Sequence, residues 1–488
     1  MKISSLPSSL SLVVYAWIAT STADALTITP HHPPAAQQIG IVRRSKQRMT
    51  AEEFSEWSEN KLAGLALKYG GGSSSEKRAV GVNLLVNQQF DSSYFGTVAV
   101  GTPPISYSVI LDTGSADMWI ATTSSNQSQS SSGIPLFNPS TSTTFKDSNE
   151  PFQVNYGSGS VSGTLGTDKV QFAGFEVQAQ EFGQVHQTTS QLLTSPVSGL
   201  MGLGFQGIAS SGALPFWQAI VKSNQLDSPL MSFQLTRMNN ASNARSLEFG
   251  GTFTLGAVNN TLFTGDIDYQ NIPDGAPGYW ILPLSGLSAE GKNVDVPSGT
   301  AAWAAIDTGT TGVAGPANVI AQLYAAIPGS RPLQGSQNFW SIPCDTDYKV
   351  TMRFGSSSIN WPISSADMRQ QQLDDNTCVG GFFSLPSTGM GRTPSWIVGD
   401  TFLKNVYSVF RSSPPSVGFA ALSATAVSLS DPNLPVPSAT LAPSPNSVGG
   451  GNNGGGGKNN SGVMSLATAS AGVVTIVSVL FGAVIALL

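Results

Sequence analysis

Histidine, cysteine and charge are all scarce in this sequence. Its 488 residues include three histidines, His31, His32 and His186, and two cysteines, Cys344 and Cys378. His31 and His32 fall in an N-terminal stretch expected to be removed, which leaves His186 for the mature body. A histidine triad would rest on that one residue, and a multi-histidine metal site is excluded. The setting Gln184-Val185-His186-Gln187 reads as a surface or hydrogen-bonded histidine. Two cysteines cannot build a structural zinc site alone. In a secreted chain they read as one disulfide, for which chain entropy gives about 3–4 kcal/mol. Charged residues make up 11 % of the chain, against about 25 % in ordinary soluble proteins. The 23 basic and 29 acidic residues leave a net charge of −6. Nucleic-acid binding needs a dense basic patch, so no such partner is expected. No metal and no other cofactor is expected either. Chemistry must come from carboxylates, hydroxyls and backbone.

The two ends differ from the middle. Residues 1–25 have Lys2, an apolar stretch near residues 10–19 and small residues through Ala25, the layout of a secretory signal peptide. The apolar stretch is too short to span a bilayer. Residues 26–78 carry eight basic and five acidic residues, whereas residues 79–427 carry 13 basic and 22 acidic, a net of −9. Residues 50–69 could form an amphipathic helix with Phe54, Trp57, Leu62 and Leu65 on one stripe, although Gly64 weakens that pattern. A Gly/Ser run then leads to Lys77-Arg78, an accessible dibasic cleavage site. Residues 26–78 are therefore expected to be a propeptide held partly by charge.

Beyond Val427 the composition turns to Pro, Ser, Gly and Asn, so residues 428–460 are expected to be an unfolded linker. An apolar tail closes the chain, with no Lys or Arg after it. A retained single span would usually show such residues. The alternative is a glycosylphosphatidylinositol (GPI) signal over 461–488, with attachment at Asn460 and a spacer over 463–470. N-glycosylation acceptors stand at Asn126, Asn240 and Asn259, and at Asn459 in the linker. The expected location is the secretory pathway and then the cell surface, on the plasma membrane or the wall.

From about Val82 the texture is all-β. Short runs of Val, Ile, Phe and Tyr alternate with Gly, Pro, Ser and Asn. Strands are expected over 94–100, 108–111 and 118–121, and the few helical signals lie at 214–223 and 317–327. Within this texture one pattern occurs twice. Val109-Ile110-Leu111-Asp112-Thr113-Gly114-Ser115 recurs as Ala304-Ala305-Ile306-Asp307-Thr308-Gly309-Thr310, 195 residues later. Leu200-Met201-Gly202-Leu203 follows the first copy, with Gly202 90 residues after Asp112. Ile397-Val398-Gly399-Asp400 follows the second, with Gly399 92 residues after Asp307. A lone Asp-Thr-Gly arises by chance on the order of 0.1 times in a chain this long. Two copies with matched flanks and matched downstream elements imply two related lobes, each carrying one Asp in the same setting.

That pairing has a chemical consequence. A buried strand ending at Asp-Thr-Gly places the carboxylate on a turn, and glycine lets two such turns approach without a Cβ between them. Two adjacent carboxylates cannot both ionise easily, so they share one proton and titrate as a unit. The ionised member can take a proton from water while the protonated member donates to a carbonyl. This is general acid–base hydrolysis without metal or covalent intermediate. Ser115 and Thr310 are placed to hydrogen-bond the outer carboxylate oxygens.

At these residues the chain resembles the pepsin-like aspartic proteases. The resemblance runs over most of 90–422. Its residues include Tyr94-Phe95-Gly96-Thr97, Gly101-Thr102-Pro103-Pro104, Trp119, Tyr156-Gly157-Ser158-Gly159, Gly278-Tyr279-Trp280 and both Asp-Thr-Gly copies. It implies a bilobal all-β fold with a central cleft between two pseudo-twofold related lobes, here 79–270 and 271–427. Asp112 and Asp307 would be the catalytic pair, supported by Thr113, Gly114, Ser115, Thr308, Gly309 and Thr310. Tyr156, Gly157, Ser158 and Gly159 would form a flap over the substrate, with Trp119 behind it. Ile110, Leu200 and Tyr279 would line the cleft, and Cys344–Cys378 would be the disulfide of the C-terminal lobe. Protein and peptide substrates and a monomer are implied. Together with the tail, the chain looks like the GPI-anchored, yapsin-type members. Two departures stand out: no cysteines in the first lobe, and Arg411 where relatives commonly have Asp. A catalytically silent peptide-binding protein and a GPI-anchored structural or adhesive wall protein are the competing readings.

Overall fold

The computed structural model describes residues 78–438 except 124–132, 190, 191, 240, 242, 277 and 386–393. The signal peptide, nearly all of the propeptide, Lys77, Asn126, Asn240, Asn459, Asn460 and the apolar tail lie outside the described residues.

The chain is built from short strands. The first set comprises β1 (Gly81–Gln88), β2 (Ser93–Val100), β3 (Ile105–Asp112), β4 (Met118–Ala121), β5 (Lys146–Tyr156), β6 (Gly159–Phe172), β7 (Phe175–Thr188), β8 (Val197–Gly202), β9 (Leu230–Leu235), β10 (Leu247–Leu255) and β11 (Phe263–Asn271). Then come β12 (Ile281–Ala289), β13 (Lys292–Val294), β14 (Trp303–Ile306), β15 (Val313–Pro316), β16 (Arg331–Pro332), β17 (Trp340–Pro343), β18 (Val350–Phe354), β19 (Trp361–Ile363), β20 (Arg369–Gln372), β21 (Thr377–Gly380), β22 (Phe382–Leu385), β23 (Trp396–Val398), β24 (Val406–Ser412) and β25 (Pro415–Leu422). The expected strand over 118–121 is reproduced, and those over 94–100 and 108–111 are lengthened by a few residues. The two helical signals become the helices Phe216–Lys222 and Ala317–Ala325. Each starts directly after a proline, Pro215 or Pro316, whose fixed φ suits a helix entrance.

The sequence repeat is also a repeat of topology. In the first lobe the strand order is β2-β3-β8-β4-β7, and in the second it is β12-β14-β23-β15-β22. In both, the Asp-bearing strand pairs in parallel with the strand ending at the downstream glycine element (β3 with β8, β14 with β23). In both, that central strand then pairs antiparallel with the strand following Asp-Thr-Gly (β4 or β15). The protein is therefore two-lobed and mostly β.

The two lobes share a sheet. β24 and β25 belong to the second lobe in sequence but pair with β9 and β11, so they extend the thirteen-stranded sheet of the first lobe. A boundary drawn at residue 270 cuts across this sheet. Its pairing joins residues 263–271 to 416–422, too far apart in sequence for any local pattern to announce it. Trp280, fully buried, helps join the halves: its ring centroid lies 4.4 Å from Phe205 and 5.4 Å from both Trp217 and Phe410. Burying an aromatic side chain of this size stabilises by about 2–3 kcal/mol.

Order extends past Val427. Residues 424–428 form a helix capped by the Ser423 hydroxyl, which accepts from the Ala426 N–H. The chain then stays on the body: Leu429 packs near Leu262 and Tyr407, and Val436 packs on Val86, Phe95 and Val197. The expected linker thus begins as a folded segment over 429–438. Side chains of the body capture its backbone, as described below.

Candidate active site

Asp112 and Asp307 reach one point from two lobes. Along β3, Tyr107, Val109 and Leu111 turn into the core, while Ile110 and Asp112 share the opposite face, as the period of two requires. Asp307 stands directly after β14. Both residues are nearly buried, with 6 % and 8 % of their surface exposed, and each carboxyl lies against the glycine of the other's turn.

Their surroundings obey a near-exact twofold relation. The Gly114 N–H donates to Asp112 Oδ1 at 2.7 Å, and the Gly309 N–H donates to Asp307 Oδ1 at 2.8 Å. The Ser115 hydroxyl donates to Asp112 Oδ2 at 2.5 Å, and the Thr310 hydroxyl donates to Asp307 Oδ2 at 2.7 Å. Beneath them the Thr113 N–H donates to Thr308 Oγ1 and the Thr308 N–H donates to Thr113 Oγ1. Both hydroxyls continue to the opposite strand, Thr113 to the Ile306 carbonyl and Thr308 to the Leu111 carbonyl. Each glycine makes room for the other lobe's acid. A Cβ on Gly114 would lie 2.4 Å from Asp307 Cγ, and one on Gly309 would lie 2.4 Å from Asp112 Oδ1. No L side chain fits at either place.

Burial and the neighbouring Asp307 carboxyl push the Asp112 carboxyl well above the ordinary aspartate range. The donors Ser115 and Gly114 oppose this but do not offset it. An acid held partly protonated beside a second carboxyl can donate a proton while its neighbour accepts one. That is the combination general acid–base chemistry requires. Among the described residues no group of His, Cys, Asp and Glu side chains is arranged to hold a metal ion.

A hairpin stands over the pair. β5 and β6 are antiparallel, with Tyr156 opposite Gly159, so Gly157 and Ser158 form its two-residue tip. The Trp119 indole N–H donates to the Tyr156 hydroxyl at 2.7 Å, with the rings 6.4 Å apart. Burial and the Asp112 charge raise the Tyr156 phenol, which stays neutral. Leu200, almost buried, pairs across the sheet with Ile110 on one side and Trp119 on the other. Tyr279 is half-buried, and burial together with the charges of Asp307 and Asp112 raises its phenol. Trp119, Leu200, Ile110 and Tyr156 thus pack in one cluster beside Asp112.

The other expected positions lie elsewhere. Arg78 is exposed just ahead of β1. Asn259 sits in a turn where its Oδ1 accepts from the Thr261 N–H and hydroxyl. The Cys344–Cys378 disulfide ties the end of β17 to β21. His186 is half-buried, with Nε2 3.3 Å from Thr164 Oγ1, the satisfied histidine expected. Arg411 lies over the Tyr269 ring at 4.1 Å and donates to Ser416 Oγ.

Several buried charges were not singled out by motif reading. Asp117 accepts from the Ser210 N–H at 2.7 Å and the Ser211 N–H at 3.0 Å, fixing that loop. Lys404, almost completely buried, bridges Asp91 at 2.8 Å and Asp367 at 2.9 Å, and Arg237 also pairs with Asp367. Asp400 is buried beside this cluster, and its Oδ1 has no hydrogen-bond partner.

The comparisons with known proteins agree with this geometry. A model of the family described as eukaryotic aspartyl protease matches residues 93–422. The chain is 39 % identical over 359 residues to the major aspartyl peptidase 1 of Cryptococcus neoformans var. grubii serotype A, covering 72 % of each chain. It is 32 % identical to pepsin A of Sus scrofa, covering 68 % of this chain and 81 % of that one. It is 31 % identical to cathepsin E-B of Xenopus laevis, covering 68 % and 79 %. With these matches and this fold, the chain belongs to the eukaryotic aspartyl protease family, the pepsin-like aspartic endopeptidases.

Proposed function

We propose that Asp112 and Asp307 are the catalytic pair of this endopeptidase. The observation that carries the reading is their twofold arrangement: two buried carboxyls, each against the other's glycine turn, each with one backbone N–H on its inner oxygen and one hydroxyl on its outer oxygen. The ionised carboxylate takes a proton from water as the oxygen attacks the peptide carbonyl. The protonated carboxyl donates to the carbonyl oxygen, giving a tetrahedral diol. The proton left on the pair then passes to the peptide nitrogen, a diol hydroxyl gives its proton to the other carboxylate as the C–N bond breaks, and an amine and a carboxylic acid leave. The pair ends with one proton, as it began. Ser115 and Thr310 hold the outer oxygens, and Thr113 and Thr308 hold the two turns in register. The hairpin of Tyr156, Gly157, Ser158 and Gly159, backed by Trp119, closes over the peptide. Ile110, Leu200 and Tyr279 line its path.

We further propose that the protein is made as a zymogen and displayed at the cell surface. Residues 1–25 direct export, 26–78 are released after Arg78 or by acid autocatalysis, and Asn460 takes a GPI anchor in place of 461–488. Lobes at 79–270 and 271–427 form the mature monomer, carried on a linker that starts beyond the folded segment 429–438 and runs to 460, in the manner of yapsin-type members. The charge contrast between 26–78 and the body, the dibasic pair and the small-residue triplet at 460–462 support this reading. Asn126, Asn240 and Asn259 are the proposed glycosylation sites.

One experiment tests the catalytic reading. Purified protein should cleave an unfolded protein substrate at acid pH, and a pepstatin-type inhibitor should stop it. Asp112→Asn and Asp307→Asn should each abolish cleavage while leaving the fold intact. Activity retained in either variant, or a rate that climbs steadily to about pH 8 where both carboxyls would be ionised, overturns it. Phospholipase release of the surface protein tests the anchor, and N-terminal sequencing tests the two processing sites.

A further inference from the structure

A row of apolar side chains crosses five strands of the first lobe on the face that carries Asp112. Val86 lies opposite Phe95, Phe95 opposite Ile110, Ile110 beside Leu200, and Leu200 opposite Trp119. Directly paired residues share a face, so this row is one continuous floor. At one end Trp119 holds the hairpin through Tyr156. Leu193 and Ile110 pack both on the cluster beneath the hairpin and on the Val86–Phe95–Val197 cluster at the other end.

Val436 sits on that other end. It packs, half-buried, on Val86, Phe95 and Val197. It arrives there on the segment 429–438, which lies outside the matched family region of 93–422. The segment is pinned along its length. Leu429 is seated beside Leu262 and Tyr407. The Ser430 hydroxyl accepts from the Arg237 N–H at 3.0 Å. Asp431 accepts from the Asn433 N–H at 2.9 Å, closing a local turn. Arg245 Nη2 donates to the Pro432 carbonyl at 3.1 Å and to the Leu434 carbonyl at 3.2 Å. Arg245 is itself held by Glu248, which is almost completely buried. Composition alone gives a Pro/Ser linker here, but two captured carbonyls and a seated valine make it a strap.

The distance along the row sets what the strap can touch. Two strand spacings separate Val86 from Ile110, about 9–10 Å, and Ile110 is two residues, about 7 Å, from Asp112. Val86, in the cluster on which the strap lands, is therefore about 12 Å from the catalytic turn along the sheet. An extended peptide covers that in about four residues.

We propose that Val436 is a specificity-determining residue that walls the cleft where the row ends. It selects an apolar side chain about four residues from the scissile bond, on the side of the peptide that lies over Ile110. This rests on the reading of the Asp112–Asp307 cleft as the peptide site. It adds a subsite built by a segment outside the shared fold.

The test uses the full mature chain and octapeptides cut at one fixed bond, with the residue four positions away varied on each side. Wild-type protein should favour Leu over Asp on one side by at least tenfold in kcat/KM. Val436→Thr, nearly isosteric, should shrink that preference at least fivefold, through KM rather than kcat. Val436→Phe should shift it from Leu toward Ala. Arg245→Ala, which loosens the strap without touching its apolar contact, should also shrink it. Preferences unchanged in all three variants overturn the proposal while leaving peptide cleavage standing. Cleavage of the same peptides by Asp112→Asn would instead overturn the catalytic reading on which it depends.

Discussion

Thr113 and Thr308 exchange backbone and side-chain hydrogen bonds across the two lobes, each N–H donating to the other's hydroxyl at 3.1 and 3.0 Å. Because each hydroxyl also donates to a carbonyl on the opposite strand, four buried bonds lock the two Asp-bearing turns together. Replacing Thr113 with Val keeps the shape but leaves the Thr308 N–H and the Ile306 carbonyl without these partners. An unsatisfied buried group costs about 1–3 kcal/mol. Thr113→Val and Thr308→Val should each lower Tm by several degrees and reduce kcat/KM at least tenfold. The double variant should cost less than the sum, because both changes strike one network. Additive Tm and rate losses in a double-mutant cycle would refute this coupling.

Tyr156 provides the second expectation. Its hydroxyl accepts from the Trp119 N–H at 2.7 Å. Tyr156→Phe keeps the ring but removes the acceptor of the Trp119 N–H. Tm should fall by no more than the cost of the Trp119 N–H left unpaired, about 1–3 kcal/mol, whereas kcat/KM should fall several-fold to tenfold. Steady-state kinetics beside a melting curve check this. A loss of Tm matching the loss of rate would make the residue structural only.

Much of the site could be read directly from the chain. The repeated Asp-Thr-Gly located both carboxyls because the chemistry demands identical turns, and glycine is the only residue that each turn can hold against the opposite acid. The strands over 94–100, 108–111 and 118–121 showed through their alternation and β-branched content. What stayed hidden was non-local or polar. The joining of 263–271 to 416–422 depends on a pairing that no local period encodes. The strap over 429–438 depends on Arg245 reaching two carbonyls, which composition cannot reveal. Lys404 and its acids carry no motif at all, and only the fold shows that they are buried together.

The disulfide gives a third expectation. Cys344 and Cys378 are 34 residues apart and connect two strands of the small four-stranded sheet, β16-β17-β21-β20. Closing that loop removes unfolded-state entropy equivalent to about 3–4 kcal/mol. Reduction, or the Cys344→Ser/Cys378→Ser pair, should lower Tm clearly. The bond lies on a sheet separate from the two that carry the Asp-bearing strands, so kcat at temperatures well below Tm should change less than twofold. A large fall in kcat with Tm unchanged would show that the bond shapes the site instead.

Asp400 gives the sharpest pH expectation. Burial first, and then the charges of Asp307, Asp91 and Asp367, raise its carboxyl well above the ordinary range, against the opposing charge of Lys404. In the unfolded chain the same carboxyl ionises near pH 4. Between that value and its raised folded value, the folded state binds the extra proton, so stability falls as pH rises through this window. Asp367 has the opposite sign. Its burial is outweighed by Lys404 and Arg237, which lower its carboxyl. Its contribution is present above about pH 4 and fades as the pH drops through the folded value. Asp400→Asn removes only the first effect, because the amide is neutral at every pH. Below about pH 4 the variant and wild type should melt within a few degrees of each other. As the pH is raised toward neutrality, the variant should become progressively the more stable, by about 1.4 kcal/mol for each pH unit spanned in the window. Melting curves at half-unit steps from pH 3 to 7 decide it: a constant offset between the two proteins would show that Asp400 ionises equally in the folded and unfolded chain.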